Sequence, residues 1–519
     1  MGKKRLIKDI KQKQIESFKL TSKMINWNKK IQREQKKRII SWYIIKYLEE
    51  SWEFYKTKNG VFYFFDRDIK TVFQIHKENF KYLLNICFQV NESTDTYKYL
   101  MAELESHISE VWKEVNIYTF SYYDIKTNTL YIHNNWVEII KITSENVEVV
   151  DNWYNWLIFE TNSSFQQWQL LKNENNNKNY LKEVIETISF DTDSKIKKED
   201  YVWLLENYIY SLFFPNILNT RPILAFIWNK WSWKSFFLKL LLYVFYWKDT
   251  SLTNLPASDE EFKNSLMNNY LYFIDNLDDS ISKTKVDILC SVATGVWIKK
   301  RILYTTAEEL NVKINSFIAI TSRTPRFKRV DLNERLLIFK LESLKEYTSE
   351  TELFWKIDRN KTMTNIVYHL HKILKNIWEY KYCKTSFRLA DFSILVHNLN
   401  IDNLESTEIS SKLELFTKEQ EDFTLESESL VDLLEIMIKQ DKSSVSAYTA
   451  KQLHTKMQLI SNESFTKGTR IPYNIKTPIW LWKKLSELEK WLKSKFHFQI
   501  IKWHSNIKNY VFSWIVEQI

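Results

Sequence analysis

Glycine is nearly absent, with 4 residues in a chain of 519 where average usage would give roughly 35. Only glycine enters positive φ without strain, so tight turns, helix ends and phosphate loops normally depend on it. Cysteine is scarce too. Cys87, Cys290 and Cys383 are far apart and match neither a disulfide framework nor a metal-ligand spacing. The expectation is a reduced, cytoplasmic protein. No stretch reaches 18 uncharged apolar residues, so no membrane span is expected. The N-terminus carries Lys and Arg but lacks the apolar stretch of a signal peptide. His369 and His371, two residues apart, would not share a helix face, which argues against a metal pair there.

Tryptophan is present in excess, at 21 residues. An AT-rich gene in which UGA is read as glycine, but is printed as tryptophan, accounts for both numbers. Gly2, Gly60, Gly295 and Gly468 would then come from ordinary glycine codons, and most printed Trp would be glycine. The alternative is a protein whose tryptophans are genuine.

Net charge is +10 and uneven. Residues 1–60 hold 17 basic against 6 acidic residues, and 451–519 hold 12 against 4, whereas 401–440 hold 11 acidic against 3 basic. Basic ends suit a polyanionic partner, because Lys and Arg contacts to phosphate supply most non-specific nucleic-acid affinity. Solvated surface faces would produce the same charge.

The chain reads as about three domains by length, and patterning refines this. Residues 1–58 form a basic helical arm. Residues 59–190 form an N-terminal α+β accessory domain, in which "DNWYNWLIFE" makes better sense as a turn with glycine at Trp153 and Trp156. Residues 191–345 alternate strand and helix patterns, as a parallel sheet requires. Residues 346–440 are helical and end in an acidic stretch. Residues 441–519 form a small basic unit. In the last, an amphipathic helix over 480–496 precedes two alternating strands over 497–512, with a tight turn at Trp503.

In the third region the apolar run "ILAFI" (223–227) predicts a buried strand, and "SFFLKLLLYVF" (235–245) an apolar helix. Between them stand Trp228, Asn229, Lys230, Trp231, Ser232, Trp233, Lys234 and Ser235. With glycine at the three Trp positions this becomes G-x-x-x-x-G-K-S in its required strand–loop–helix setting. Backbone N–H groups in such a loop turn onto phosphates with no Cβ in the way, and the helix N-terminus adds partial positive charge. Lys234 would reach phosphate oxygens and the Ser235 hydroxyl would hold Mg²⁺. Three indoles would fill that cavity, so as printed the loop cannot hold a triphosphate. Further on, "YLYFIDNLDD" (270–279) predicts an apolar strand that sets Asp275 beside the loop as a Mg²⁺ ligand. Asn276 stands where a second carboxylate usually follows, leaving Asp278 as the nearest hydrolytic base.

The segment "ATGVWIKKRILYTTAEELNVKINSFIAITSRTPRFKRVDLNERLLIFKLE" (293–342) resembles the ATPase domain of superfamily-3 helicases, as in phage- and plasmid-type primase-helicases, a branch of the AAA+ fold. The likeness rests on Gly295, Arg301 with Leu303-Tyr304, Ser322 three residues before Pro325, and Arg335 before "LLIF", over about 150 residues. Ser322 stands where the family usually has Asn. The resemblance implies that Ser322 senses the γ-phosphate and that Arg335 is an arginine finger completing a neighbour's site in a ring, with Arg326 and Arg329 as weaker candidates. It also implies that Lys299, Lys300 and Arg301 form a hairpin facing single-stranded DNA.

The C-terminal unit reads as a winged helix, with Lys483, Lys484, Lys490 and Lys493 as phosphate contacts that position rather than specify. No primase chemistry is visible in the N-terminal domain. The expected fold is therefore α/β: an AAA+-like P-loop core, an N-terminal α+β domain and a C-terminal winged helix. The expected function is an ATP- and Mg²⁺-dependent DNA helicase in replication of a phage, plasmid or integrated element. Its partners would be single-stranded and duplex DNA and further copies of itself in a ring. Two other readings are open: a non-translocating ATP-dependent initiator or DNA-remodelling switch, and, if the tryptophans are genuine, a non-enzymatic protein binding single strands by charge and stacking.

Overall fold

The computed structural model describes residues 32–513, except 58–60, 68–70, 76, 112, 136, 161–165, 173–177, 192–193, 228–233, 247–251, 278–280, 302–308, 323–328, 343–348, 378–384, 386, 427–428, 441–444, 467–476, 497 and 503–507. Residues Trp228 to Trp233, expected to form a phosphate loop, together with Asp278, Leu303, Tyr304, Pro325, Arg326 and Trp503, lie outside the described residues.

The N-terminal basic segment contains the helix Arg33–Ser51, which buries Ile40, Ile44 and Leu48, one residue per turn of a single stripe. That stripe packs with the helices Glu78–Phe88 and Asp95–Val111 over a four-stranded sheet ordered Thr71–Gln74, Phe62–Asp66, Trp52–Lys56, Lys113–Glu114. An antiparallel meander follows, Ser121–Asp124, Thr129–His133, Glu138–Ile142 and Val147–Asp151. Its end turns through Trp153 at φ 149° and Asn155 at φ 51°. The first of these values is a positive φ that bulky side chains rarely adopt.

The central sheet is wholly parallel. Its strands, labelled in chain order, are β1 (Ile223–Ile227), β2 (Leu271–Ile274), β3 (Phe317–Ser322) and β4 (Leu336–Lys340), arranged β2-β3-β1-β4. A single parallel bridge from Thr253 to Ile274 extends the sheet beyond β2. These strands are nearly continuous apolar runs because both faces are covered. Alternate residues divide between two cores. Leu224, Phe226, Phe273, Phe317, Leu337 and Phe339 face one side, whereas Ile223, Ala225, Ile227, Ile274, Ile318, Ile320 and Ile338 face the other. The first side is covered by α1 (Lys234–Phe245) and by the helices Lys198–Ser211 and Arg359–Ile377. The second is covered by α2 (Asp259–Asn268) and α3 (Lys283–Ala293). Ser258 and Ser282 cap α2 and α3 by accepting backbone N–H bonds from Glu261 and Lys285.

At the end of α3, Gly295 adopts φ +67°, and the Val296 N–H donates back to Ser291 O, closing the helix with a left-handed residue. A Cβ at 295 would lie 2.4 Å from the Asn219 carbonyl oxygen, so this position needs glycine for space as well as for conformation. Next comes an antiparallel hairpin of Trp297–Arg301 and Glu309–Lys313, inserted before β3.

The C-terminal unit runs helix Ser429–Gln440, strand Val445–Thr449, helix Ala450–Thr466, helices Pro478–Glu487 and Glu489–Phe496, then strands Gln499–Lys502 and Lys508–Ser513. Its sheet places Lys508–Ser513 between the other two strands. The helix expected over 480–496 is two pieces meeting at Leu488. Backbone bonds from Leu488 to Lys484 and from Leu492 to Leu488 nevertheless carry helical pairing across the join. Among the described residues no helix is long and apolar enough to cross a membrane.

Candidate functional site

The carboxyl ends of β1, β2 and β3 converge with the start of α1. Parallel strands feed their following loops to one edge, so residues far apart in sequence meet there. Lys234 opens α1 and is buried, and its Nζ donates to the Ser322 carbonyl at 2.9 Å. The Ser235 Oγ donates to Asp275 Oδ1 at 2.5 Å across a separation of 40 residues. The same carboxylate oxygen accepts from Thr321 Oγ1 at 2.6 Å, while Asn276 Nδ2 donates to Oδ2 at 3.2 Å. Asp275 is tied to the sheet from behind by its own N–H, which donates to Thr253 O at 3.0 Å. Asn276 sits at φ 51°, a conformation Asn tolerates better than other side chains.

The structure therefore brings together Lys234, Ser235, Asp275 and the Ser322 backbone. It adds Thr321, which sequence reasoning passed over in favour of its neighbour. The available signal was slight: a second hydroxyl beside the proposed sensor, with nothing in the spacing to say which one meets the acid.

Arg335 lies elsewhere. It precedes β4, and its carbonyl accepts from Ile223 N at the opening of β1, at the amino end of the sheet. Nη1 donates to the Asp331 carbonyl, and Nε is buried with no hydrogen-bond partner among the described residues. The neighbouring Glu334 forms an ion pair with Arg388. Arg329 pairs with both Asp287 and Asp331.

Lys299, Lys300 and Arg301 occupy one strand of the inserted hairpin, with Lys299 opposite Asn311 and Arg301 opposite Glu309. In the C-terminal unit Lys483 and Lys493 are exposed and Lys484 is half-buried. Lys493 pairs with Glu489 at 2.8 Å, and Lys490 lies on the same short helix. The two histidines of helix Arg359–Ile377 go separate ways. His369 stacks on Tyr210 with ring centroids 4.3 Å apart, and His371 Nδ1 lies 2.7 Å from the Thr143 carbonyl oxygen.

With this geometry in view, one comparison bears on the central sheet. Residues 220–411 match the family of actinomycete integrative conjugative element replication proteins. The matched span covers the four sheet strands, the hairpin, Arg335 and the helices that follow. No curated protein matches the chain. Among solved structures, "SCCmec type IV Cch - active helicase" aligns at 11% identity over 89% of this chain and 92% of its own, with a TM-score of 0.44. "The A form apo structure of NrS-1 C terminal region-CTR" aligns at 11% identity over 91% of this chain and 98% of its own, with a TM-score of 0.39.

Proposed function

We propose that the chain is an ATP- and Mg²⁺-dependent DNA helicase that serves replication of a mobile element, with a superfamily-3-type AAA+ core. One observation carries this reading: the Ser235 hydroxyl at the head of α1 meets the Asp275 carboxylate at the end of β2, with β3 lying between β1 and β2. A hydroxyl and a carboxylate are hard oxygen donors suited to Mg²⁺, and the Lys234 ammonium stands beside them. These donors fit the metal–triphosphate pair.

When bound, Mg²⁺ would neutralise charge on the phosphate oxygens. Ser235 and Asp275 would hold it, Lys234 would leave the Ser322 carbonyl for a phosphate oxygen, and Ser322 would sense the terminal phosphate. Arg335 sits five strand residues away, roughly 15 Å at the ordinary rise of a strand. Its own chain's site is therefore out of reach, which suits a finger given to the next subunit of a ring. The match of 220–411 to a replication-protein family supports the mobile-element context.

The hairpin residues Lys299, Lys300 and Arg301 would face single-stranded DNA. The helix–strand–helix–helix–strand–strand order of the C-terminal unit supports a winged helix, with Lys483, Lys484, Lys490 and Lys493 on duplex phosphates. The reading requires glycine at positions 228, 231 and 233. Its test is the mass of the tryptic peptide 231–234 from protein made in its native host, followed by an ATPase assay. Gly-Ser-Gly-Lys with DNA-stimulated hydrolysis supports the motor; Trp-Ser-Trp-Lys sinks it.

Asn276 favours a second reading, a slow ATP-dependent switch that remodels DNA without translocating. An amide donating to Asp275 Oδ2 cannot take a proton from water. Strand displacement on a forked substrate separates the two, since a switch hydrolyses ATP without unwinding.

A further inference from the structure

We propose that Thr321 is the positioning residue of the acidic centre, resting on the nucleotide-site reading above: its hydroxyl fixes the Asp275 carboxylate and the turn behind it. Thr321 is fully buried on β3, the strand paired to β2. Its hydroxyl makes two bonds in opposite senses. It donates its one proton to Asp275 Oδ1 at 2.6 Å and accepts the Asn276 N–H at 2.9 Å. Its carbonyl accepts the Leu277 N–H at 2.7 Å. One residue thus holds three consecutive positions, 275 to 277, where the chain leaves β2 and turns through positive φ at Asn276.

Ser235 and Thr321 share one carboxylate oxygen but are differently placed. Ser235 heads the helix that follows the phosphate loop, so its oxygen can turn to a cation while its proton remains on Asp275. Thr321 belongs to the sheet interior and stays behind the carboxylate. Such supporting partners of metal ligands typically change metal affinity or activity by about 10–100-fold when removed. Here the adjacent side chain is the amide of Asn276, whose own backbone N–H depends on Thr321.

The test uses the full-length chain carrying Trp228→Gly, Trp231→Gly and Trp233→Gly, compared with the same chain bearing Thr321→Val or Thr321→Ser. Mn²⁺ serves as the probe, titrated by electron paramagnetic resonance alone and with ADP, and amide exchange is followed at Asn276. Thr321→Val keeps the shape and removes the hydroxyl. It should weaken Mn²⁺ binding about tenfold or more and speed Asn276 exchange at least tenfold, and Thr321→Ser should restore both. A Val variant that binds Mn²⁺ like its parent overturns the proposal. So does a Ser variant as weak as Val, which would make the role one of packing. A parent chain that binds no Mn²⁺ also overturns it. If the parent binds Mn²⁺ with the expected Thr321 dependence yet hydrolyses no ATP, the motor reading fails and the positioning role stands. If it hydrolyses ATP with no Thr321 dependence, the reverse holds.

Discussion

At the carboxyl end of the central sheet, Asp275 collects two hydroxyls and an amide, and the Lys234 ammonium rests on a carbonyl beside it. At the amino end, Arg335 has a buried Nε with no hydrogen-bond partner among the described residues, while the acid next to it is taken by Arg388. The first end is nearly saturated within one chain; the second holds Arg335 on the Asp331 carbonyl, with its Nε unmatched among the described residues. A finger given to a neighbouring copy, as proposed above, would first have to leave the Asp331 carbonyl. The largest expected effect breaks or supports this contrast directly. In the chain with glycine at 228, 231 and 233, Arg335→Ala should lower steady-state ATP hydrolysis about 10³-fold. Nucleotide affinity, measured by equilibrium binding, should be unchanged. Mixing Arg335→Ala with Lys234→Ala subunits, each inactive alone, should restore part of the rate. If nothing is restored while the parent hydrolyses ATP, the two ends do not meet across subunits.

The amino end also depends on a backbone with no tolerance for a side chain. Gly295 combines φ +67° with a Cβ direction blocked by the Asn219 carbonyl. Gly295→Ala should destabilise the protein by about 3 kcal/mol, the sum of a left-handed alanine and a displaced backbone oxygen. Denaturant midpoints would measure it. A loss under about 1 kcal/mol would mean that the loop around Asn219 yields freely, and that the amino end is less rigid than the contrast assumes.

The antiparallel meander differs from the sheet's polar edge in another way: it holds an imidazole neutral. His133, buried in the meander and stacked on Phe159, has its pKa lowered to about 4, chiefly by burial. Between the ordinary value of 6.5 and about 4 the unfolded chain binds a proton that the folded chain refuses. Stability is therefore whole above pH 6.5 and falls as pH drops through that window. By pH 5 the loss from this residue should be about 2 kcal/mol. Denaturation at pH 7.5 and pH 5 would read it, with His133→Phe flattening the difference by that amount. An unchanged slope would mean that the His133 ring reaches solvent.

How far the fold could be read from the letters depends on where each signal resides. Strand β1 and helix α1 are legible because the ILAFI run and the Phe- and Leu-rich helix are local patterns, and both fall within a residue of expectation. The Ser235–Asp275 meeting follows from motif spacing. Thr321 does not, because its partner is set by strand order: β3 lies beside β2 and leaves Thr321 opposite the turn after it, which no spacing rule reports. The helix Arg33–Ser51 looks like a charged arm in composition, yet its Ile40–Ile44–Leu48 stripe is buried against Asp95–Val111, a tertiary partner that local sequence cannot name. Its stripe is narrow within a highly charged helix, so the charge conceals it.

The smallest effect concerns the letters themselves. Gly295 and Trp153 both occupy backbone regions that favour glycine, yet only one is printed as glycine. Trp153, at φ 149°, stacks its ring on Phe65 with centroids 4.0 Å apart and meets Tyr55 edge-on. Replacing Trp153 by any smaller residue loses that stacking, so the parent is a poor reference for the backbone term. Comparing Trp153→Gly with Trp153→Ala removes the ring from both. At an ordinary position alanine is the more stable by roughly 0.5–1 kcal/mol. Here the order should reverse, with glycine the more stable by about 1 kcal/mol, because a Cβ strains this conformation. Denaturant titration of the two variants would resolve that difference. Alanine as the more stable would mean that the turn relaxes to ordinary φ and that tryptophan can be the native residue. The reversal would mean that the backbone at 153 is built for a residue the printed letter does not name.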